Sequence, residues 1–138
     1  MSQFDAYLIF NGNCAEAMRF YERTLGGKLD LMTFGQSPMA SQTKPGDADR
    51  ALHARLTLAD GILMASDSSS EQPYEGMKGF SVSLIYPTAD EGKRMFDALA
   101  QGGNVTMPMD KTFWAEGFGM LVDRFGTPWM VNGGMIAT

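Results

Sequence analysis

The hydrophobic pattern of this chain occurs twice in the same order. Residues 4–10 alternate between apolar and polar side chains, and residues 80–86 form a similar strand-like run. After each run, apolar residues recur at helical spacing, and three more strand-like runs follow. The sequence therefore predicts an α+β fold made of two βαβββ modules.

Both predicted helices begin with a capping signal and end at a pair of glycines. Asn13 and Glu16 have the spacing of a capping box at the first helix, and Thr88 and Glu91 have it at the second. The glycines supply a residue that tolerates left-handed backbone geometry at the helix end. We place the modules at about residues 1–68 and 78–138 of a single domain, joined by the polar connector 69–77.

A tight hairpin is predicted within the first module. Asp60-Gly61 is a strong two-residue turn signal between strand-like residues 52–58 and 62–66, so Ala59 is expected to pair with Ile62. Strand alternation then places five side chains, four of them polar, on a common face: His53, Arg55, Thr57, Met64 and Ser66. The opposite, apolar face should pack beneath the helix. We expect the polar face to be exposed to solvent or to line a polar cavity.

Composition and charge exclude several classes of protein. The net charge of −5 argues against nucleic-acid binding, which needs clustered Lys and Arg. No apolar run approaches the roughly 20 residues that cross a bilayer, and the first residues do not resemble a signal peptide. Cys14 is the single cysteine, so an internal disulfide is excluded and a cytoplasmic location is expected.

Several segments along the whole chain carry a family resemblance. The most specific are Thr112–Gly119, which reads Thr-Phe-Trp-Ala-Glu-Gly-Phe-Gly, and Asp123–Asn132, which contains Asp-Arg-Phe-Gly-Thr-Pro-Trp-Met. With Tyr7–Asn13, Ala17–Tyr21 and the segments that begin at His53 and Leu63, the chain resembles the vicinal oxygen chelate superfamily. This is the glyoxalase/bleomycin-resistance/dioxygenase fold, and the match is closest to its PhnB-like branch. The resemblance implies curved mixed sheets that enclose a cleft, and a homodimer.

Enzymes of this superfamily typically hold a divalent metal with one residue from each of four strands. The resemblance places Ala6, Met64, Phe80 and Met130 at those positions, and no His or Glu lies within one place of them. Alanine and phenylalanine cannot bind a metal, and thioether sulfur is a poor ligand for Mg, Mn or Zn. We therefore predict no metal at these positions and no cofactor.

Three polar residues are candidates for chemistry, each with a plainer alternative. His53 is either a general base or substrate contact, or a histidine satisfied by a neighbour. Glu116 is either an acid-base group or a solvated carboxylate. Asp67 is expected to cap the turn at residues 68–70, or to pair with His53 or Arg55.

Phe113 and Trp114 are expected to be shielded from water, because two large aromatic side chains are costly to expose. They would form a pocket wall or a dimer contact. Trp129, by contrast, should pack in the core beneath the second helix.

The function predicted from these residues is the binding of a small, anionic or oxygen-rich molecule in a metal-free cleft. Any catalysis would be metal-independent and would use His53 and Glu116. The predicted ligand-binding residues are Ala6, Arg55, Met64, Asp67, Phe80, Phe113, Trp114 and Met130. The alternatives are a metal-dependent lyase or dioxygenase of the glyoxalase type, and a drug-sequestering resistance protein without turnover.

Overall fold

The computed structural model describes residues 3–69 and 74–136. The chain divides into two compact units, Met1–Gly76 and Met77–Thr138. The first contains β1 (Ala6–Phe10), α1 (Cys14–Leu25), β2 (Lys28–Thr33), β3 (Ala51–Leu58) and β4 (Gly61–Asp67). The second contains β5 (Val82–Tyr86), α2 (Ala89–Ala100), β6 (Asn104–Asp110), β7 (Ala115–Val122) and β8 (Pro128–Met135).

Each unit contains a four-stranded mixed sheet, and the two sheets have the same topology. The strand orders are β1-β4-β3-β2 and β5-β8-β7-β6, with one parallel pair in each sheet, β1 with β4 and β5 with β8. The predicted α+β fold of two βαβββ modules is therefore confirmed. The enclosure of a cleft by the sheets stays a prediction. Within the described residues, neither helix combines the length and apolar character needed to cross a bilayer.

The core of the first unit lies between α1 and one face of its sheet. The helix buries Ala17, Phe20 and Tyr21, as predicted from its apolar stripe. Leu8 and Phe10 of β1 are also buried. The predicted first strand, residues 4–10, begins too early. β1 begins at Ala6, and Phe4 lies before it and is 96% exposed.

The β3–β4 hairpin has a different register from the predicted one. Leu58 pairs with Gly61 and Arg55 pairs with Met64, so the turn consists of Ala59 and Asp60. The prediction was wrong by two residues. Side chains alternate with a period of two, so this error leaves every residue on its predicted face.

The second unit confirms the predicted helix cap and the buried tryptophan. Thr88 Oγ1 accepts a hydrogen bond from the Glu91 backbone N–H at 3.1 Å. Trp129 is 1% exposed, and its indole N–H donates to Asp123 Oδ2 at 2.8 Å. The sheet approaches α2 closely at Gly133, where a Cβ atom would overlap the Thr88 carbonyl oxygen.

Candidate functional site

One face of the first sheet is not covered by α1, and it carries the polar residues predicted to lie together. Tyr7 of β1 lies beside Met64 of β4, Met64 lies beside Arg55 of β3, and Arg55 lies beside Asp30 of β2. His53 is on the same side of β3, and its imidazole centroid lies 6.0 Å from that of the Tyr7 ring. We call this surface the open face of the first sheet. The common face predicted for His53, Arg55 and Met64 is observed, whereas a ligand on it stays a prediction.

Arg55 is an unpaired cation on the open face, and Lys28 of β2 lies on the same face. Arg55 is exposed, and among the described residues it makes no ion pair or hydrogen bond, although Asp30 is its neighbour across the strands. A guanidinium group offers several N–H donors in a planar fork that suits carboxylate and phosphate groups. Arg55 can therefore bind an external anion without first breaking a bond within its own unit.

Asp67 bonds to backbone groups that the sequence did not indicate, and the turn that it was predicted to cap includes Ser70, which lies outside the described residues. Its Oδ1 accepts hydrogen bonds from the backbone N–H groups of Gly12 at 2.8 Å and Cys14 at 3.0 Å, and its Oδ2 accepts from Ala51 at 2.8 Å. The side chain is buried on the helix side of the sheet, and it pairs with neither His53 nor Arg55 in the described structure. It joins the start of α1 to β3.

This arrangement also corrects the predicted cap of the first helix. Asn13 makes no side-chain hydrogen bond at the helix start, and its backbone (φ −110°, ψ 19°) is outside the extended conformation usual for an N-cap. Asp67 accepts from a different amide, the Cys14 N–H at the first position of the helix. Burial, and to a smaller degree the charge of Asp67, raise the pKa of the Cys14 thiol from 9.0 to about 12. Cys14 therefore stays protonated at neutral pH and is a structural residue rather than a nucleophile.

Three aromatic rings of the second unit form a stack at the start of β7. The Trp114 ring contacts Phe113 at 4.8 Å and Phe118 at 5.1 Å between centroids, both in edge-to-face geometry. The indole N–H of Trp114 donates to Asn132 Oδ1 at 3.0 Å. Trp114 is half-buried, but Phe113 is 80% exposed, so its own chain does not provide the predicted shielding.

Glu116 follows this stack on β7 and is exposed. It makes no hydrogen bond or ion pair within residues 3–69 and 74–136. This environment matches a solvated carboxylate.

The four positions predicted to correspond to metal ligands do not share one surface within their units. Ala6 pairs with the core residue Leu63, so it lies on the opposite face of the sheet from Met64. The β1 residue beside Met64 on the open face is Tyr7, which was not among the predicted site residues. Strand alternation in β1, taken with its parallel pairing to β4, is the signal that identifies it.

The corresponding positions of the second unit differ in the same way. Phe80 precedes β5 and is 45% exposed, and the β5 residue beside Met130 is Ser83. Tyrosine, serine and methionine do not form a divalent metal site of the superfamily type. In the described parts of the chain, no three His, Cys, Asp or Glu side chains are arranged to hold a metal ion. The residues present do not fit the metal that the fold family implies.

Comparison with known proteins agrees with this fold. The Glyoxalase/Bleomycin resistance protein/Dioxygenase superfamily matches residues 3–131. Protein YjdN from Escherichia coli (strain K12) is 39% identical over an alignment that covers 91% of this chain and 91% of that protein. The crystal structure of protein PA1353 from Pseudomonas aeruginosa is 51% identical, with a TM-score of 0.88 over 96% of this chain and 97% of that chain.

A more distant solved structure shows the same fold. It is a Bacillus cereus protein named putative 3-demethylubiquinone-9 3-methyltransferase, PhnB protein, at 24% identity and a TM-score of 0.73. The match covers 95% of this chain and 98% of that chain. The chain belongs to the Glyoxalase/Bleomycin resistance protein/Dioxygenase superfamily. The resemblance predicted from sequence, with a PhnB-like neighbour, is thereby confirmed.

Proposed function

We propose that this protein is a PhnB-like member of the superfamily that binds a small, anionic or oxygen-rich molecule without a metal ion. The binding surface is the open face of the first sheet. The observation that supports the proposal is the free guanidinium of Arg55 on that face, with no ion pair in the described structure. A cytoplasmic location, which suits a chain with the single cysteine Cys14, is part of the proposal.

The residues around Arg55 suit an organic anion rather than a bare inorganic ion. Arg55 anchors the negative group, and the Tyr7 ring and the Met64 thioether provide apolar surface beside it. His53, next to Tyr7, is the candidate acid-base group if the bound molecule is also transformed. Ala6 and Asp67 are no longer part of the proposed surface, because both lie on the helix side of the sheet.

A homodimer is the second part of the proposal. Phe113 is 80% exposed and stacked on Trp114, so it forms an apolar projection from the second unit. Exposed apolar patches of this kind often mark contacts with other protein surfaces. We assign this projection to the contact with a second copy of the chain.

Phenylphosphonate, a small organic anion with an apolar ring, is a suitable probe of the open face. In a ¹H–¹⁵N NMR titration, the shifted amides should cluster around Tyr7, His53 and Arg55. We expect Arg55→Gln to weaken binding about 10- to 100-fold, because a hydrogen bond to a charged group contributes about 1.5–3 kcal/mol. Arg94→Gln on exposed α2 removes the same charge and is the matched control.

Equal losses in the two variants would show that the probe responds only to net charge and would contradict the proposal.

Native mass spectrometry of protein purified without denaturation would report the dimer mass and any retained ligand together. ³¹P NMR of the same mixture shows whether the probe is only bound or also converted. A His53→Gln variant that binds normally but no longer converts the probe would assign the acid-base role to His53.

A further inference from the structure

A second polar groove lies in the first unit, on the side of the sheet opposite the open face. It has a volume of about 600 Å³ and runs between α1 and the edge strand β2. The helix contributes Arg19, Glu22 and Arg23, and the strand contributes Leu29, Leu31 and Thr33. Its volume falls within the range of about 300–1,000 Å³ that is usual for sites of small molecules.

Two unpaired cations line the helix side of this groove. Arg19 and Arg23 are four residues apart on α1, so their side chains lie on the same face one turn apart. Like charges at this spacing destabilise a helix slightly. Neither guanidinium makes an ion pair or hydrogen bond in the described part of the chain, although the Glu22 carboxylate lines the same groove.

The strand side of the groove has its backbone donors partly satisfied. The Leu29 N–H donates to Glu22 Oε2 at 2.8 Å, and the Thr33 N–H donates to Gln36 Oε1 at 3.1 Å. Both N–H groups bond to side chains at the outer edge of β2, and no further strand of this sheet lies beyond that edge. Between them, the outward N–H of Leu31 has no partner among the described residues.

This pattern decides which kind of occupant the groove fits. An added peptide strand needs a row of free backbone groups along the edge, and side chains already occupy two of the three donors. A small anion needs only a few nearby donors, and Arg19, Arg23 and Leu31, with its outward N–H, line the same groove. The side chains of Leu29 and Leu31 supply apolar surface beside them.

We propose that the groove between α1 and β2 binds a small organic anion that carries a phosphate or carboxylate group and a short apolar portion. The anionic group lies against Arg19 and Arg23, and the apolar portion lies on Leu29 and Leu31. The site is separate from the open face around Arg55 and does not depend on the function proposed above.

Substitution of Glu22 tests whether the ligand of the groove is an anion or a cation. The Glu22 carboxylate lines the same groove, and its negative charge opposes an anionic ligand. Glu22→Gln keeps an oxygen that accepts from the Leu29 N–H but removes the charge. The substitution should therefore strengthen the binding of an anion, whereas it would weaken the binding of a cation.

The experiment is a ¹H–¹⁵N NMR titration with hexyl phosphate as the probe. We expect saturable shifts at the Leu29, Leu31 and Thr33 amides. The double substitution Arg19→Gln and Arg23→Gln should weaken binding about tenfold or more, because it removes two charge-assisted contacts. Glu22→Gln should strengthen binding by a few-fold, and Arg94→Gln on α2 should leave it unchanged.

Two further measurements separate this site from the open face and from a purely ionic effect. Arg55→Gln should leave the shifts at Leu31 intact, so the two proposals can fail independently. Inorganic phosphate should bind more weakly than hexyl phosphate, because it makes no contact with the leucines. The proposal is overturned if the groove amides do not shift, if the double variant binds like wild type, or if Glu22→Gln weakens binding.

Discussion

The buried carboxylate of Asp67 provides a direct test of how the first unit is held together. Its two oxygens accept three backbone hydrogen bonds, from Gly12, Cys14 and Ala51, at 2.8–3.0 Å. Asp67→Asn keeps the shape but turns one oxygen into an amide that donates. At least one of the three N–H groups then faces another donor in a site that is 5% exposed.

The expected cost follows from these bonds. A hydrogen bond to a charged group contributes about 1.5–3 kcal/mol, and a buried N–H without a partner costs about 1–3 kcal/mol. We therefore expect Asp67→Asn to lower the free energy of unfolding by about 3 kcal/mol. Most of this comes from the hydrogen bonds at the oxygen that becomes the NH₂ group, which are those of Gly12 and Cys14 or that of Ala51. The matched control is Asp60→Asn in the exposed hairpin turn, which should stay within about 0.5 kcal/mol of wild type.

Urea unfolding followed by far-UV circular dichroism measures this difference, and amide hydrogen exchange locates it. A loss of about 3 kcal/mol corresponds to roughly 100-fold faster exchange at Cys14 or Ala51, provided that exchange follows the opening equilibrium. If Asp67→Asn unfolds at the same urea concentration as Asp60→Asn, the hydrogen bonds of Asp67 contribute little. The reasoning would then be refuted.

Four further predictions concern other parts of the chain. Since the pKa of Cys14 is raised from 9.0 to about 12, the unfolded chain loses this proton first. The free energy of unfolding should therefore decrease as the pH rises from 9.0 to about 12. Cys14→Ala should make the accompanying decrease in the urea midpoint smaller. Thr88→Ala should cost about 1 kcal/mol in thermal unfolding, and Thr88→Ser should restore most of it. If Phe113 lies in the proposed homodimer contact, Phe113→Ser should shift sedimentation toward monomer in analytical ultracentrifugation, and unchanged sedimentation would contradict that proposal. Elemental analysis should find far less than one equivalent of Zn, Ni, Mn or Fe per chain. A value near one would contradict the prediction that the superfamily ligand positions, which include Met64 and Met130, hold no metal.

Much of the fold could be predicted because alternation and helical spacing are local properties of a sequence. The faces of β3 and β4 illustrate how robust this information is. The predicted hairpin register was wrong by two residues, yet His53, Arg55 and Met64 were still placed on a common face. The stripe on α1 similarly identified Phe20 and Tyr21 as buried side chains.

The candidate site was harder to predict because its contacts join distant parts of the chain. Tyr7 meets Met64 only because β1 pairs with β4 in parallel, and no local pattern fixes that register. Asp67 is more than 50 residues from Gly12 and Cys14 in sequence. The prediction that Phe113 is shielded failed for a different reason. A large apolar area indicates that a side chain is costly to expose, but it does not indicate whether the same chain or another molecule covers it.

The two helix starts show why equivalent sequence signals had different outcomes. Phe10 pairs with Asp67 in the first sheet, and Tyr86 pairs with Gly133 at the corresponding place in the second. In the first unit, the Asp67 carboxylate from β4 accepts from the Gly12 and Cys14 N–H groups beside the start of α1, while Asn13 (φ −110°, ψ 19°) makes no side-chain cap.

In the second unit, the corresponding strand position is Gly133, which has no side chain to reach the start of α2. The helix instead packs directly on the strand at that glycine, and Thr88 provides its own cap. A capping box in the sequence therefore predicts a helix start in both units. It does not predict whether the cap side chain forms its hydrogen bond, because that depends on the backbone conformation of the cap residue, which is extended at Thr88 (φ −128°, ψ 156°) but not at Asn13 (φ −110°, ψ 19°). The two solutions also predict different effects of mutation: Asn13→Ala should be nearly neutral, whereas Thr88→Ala should be destabilising.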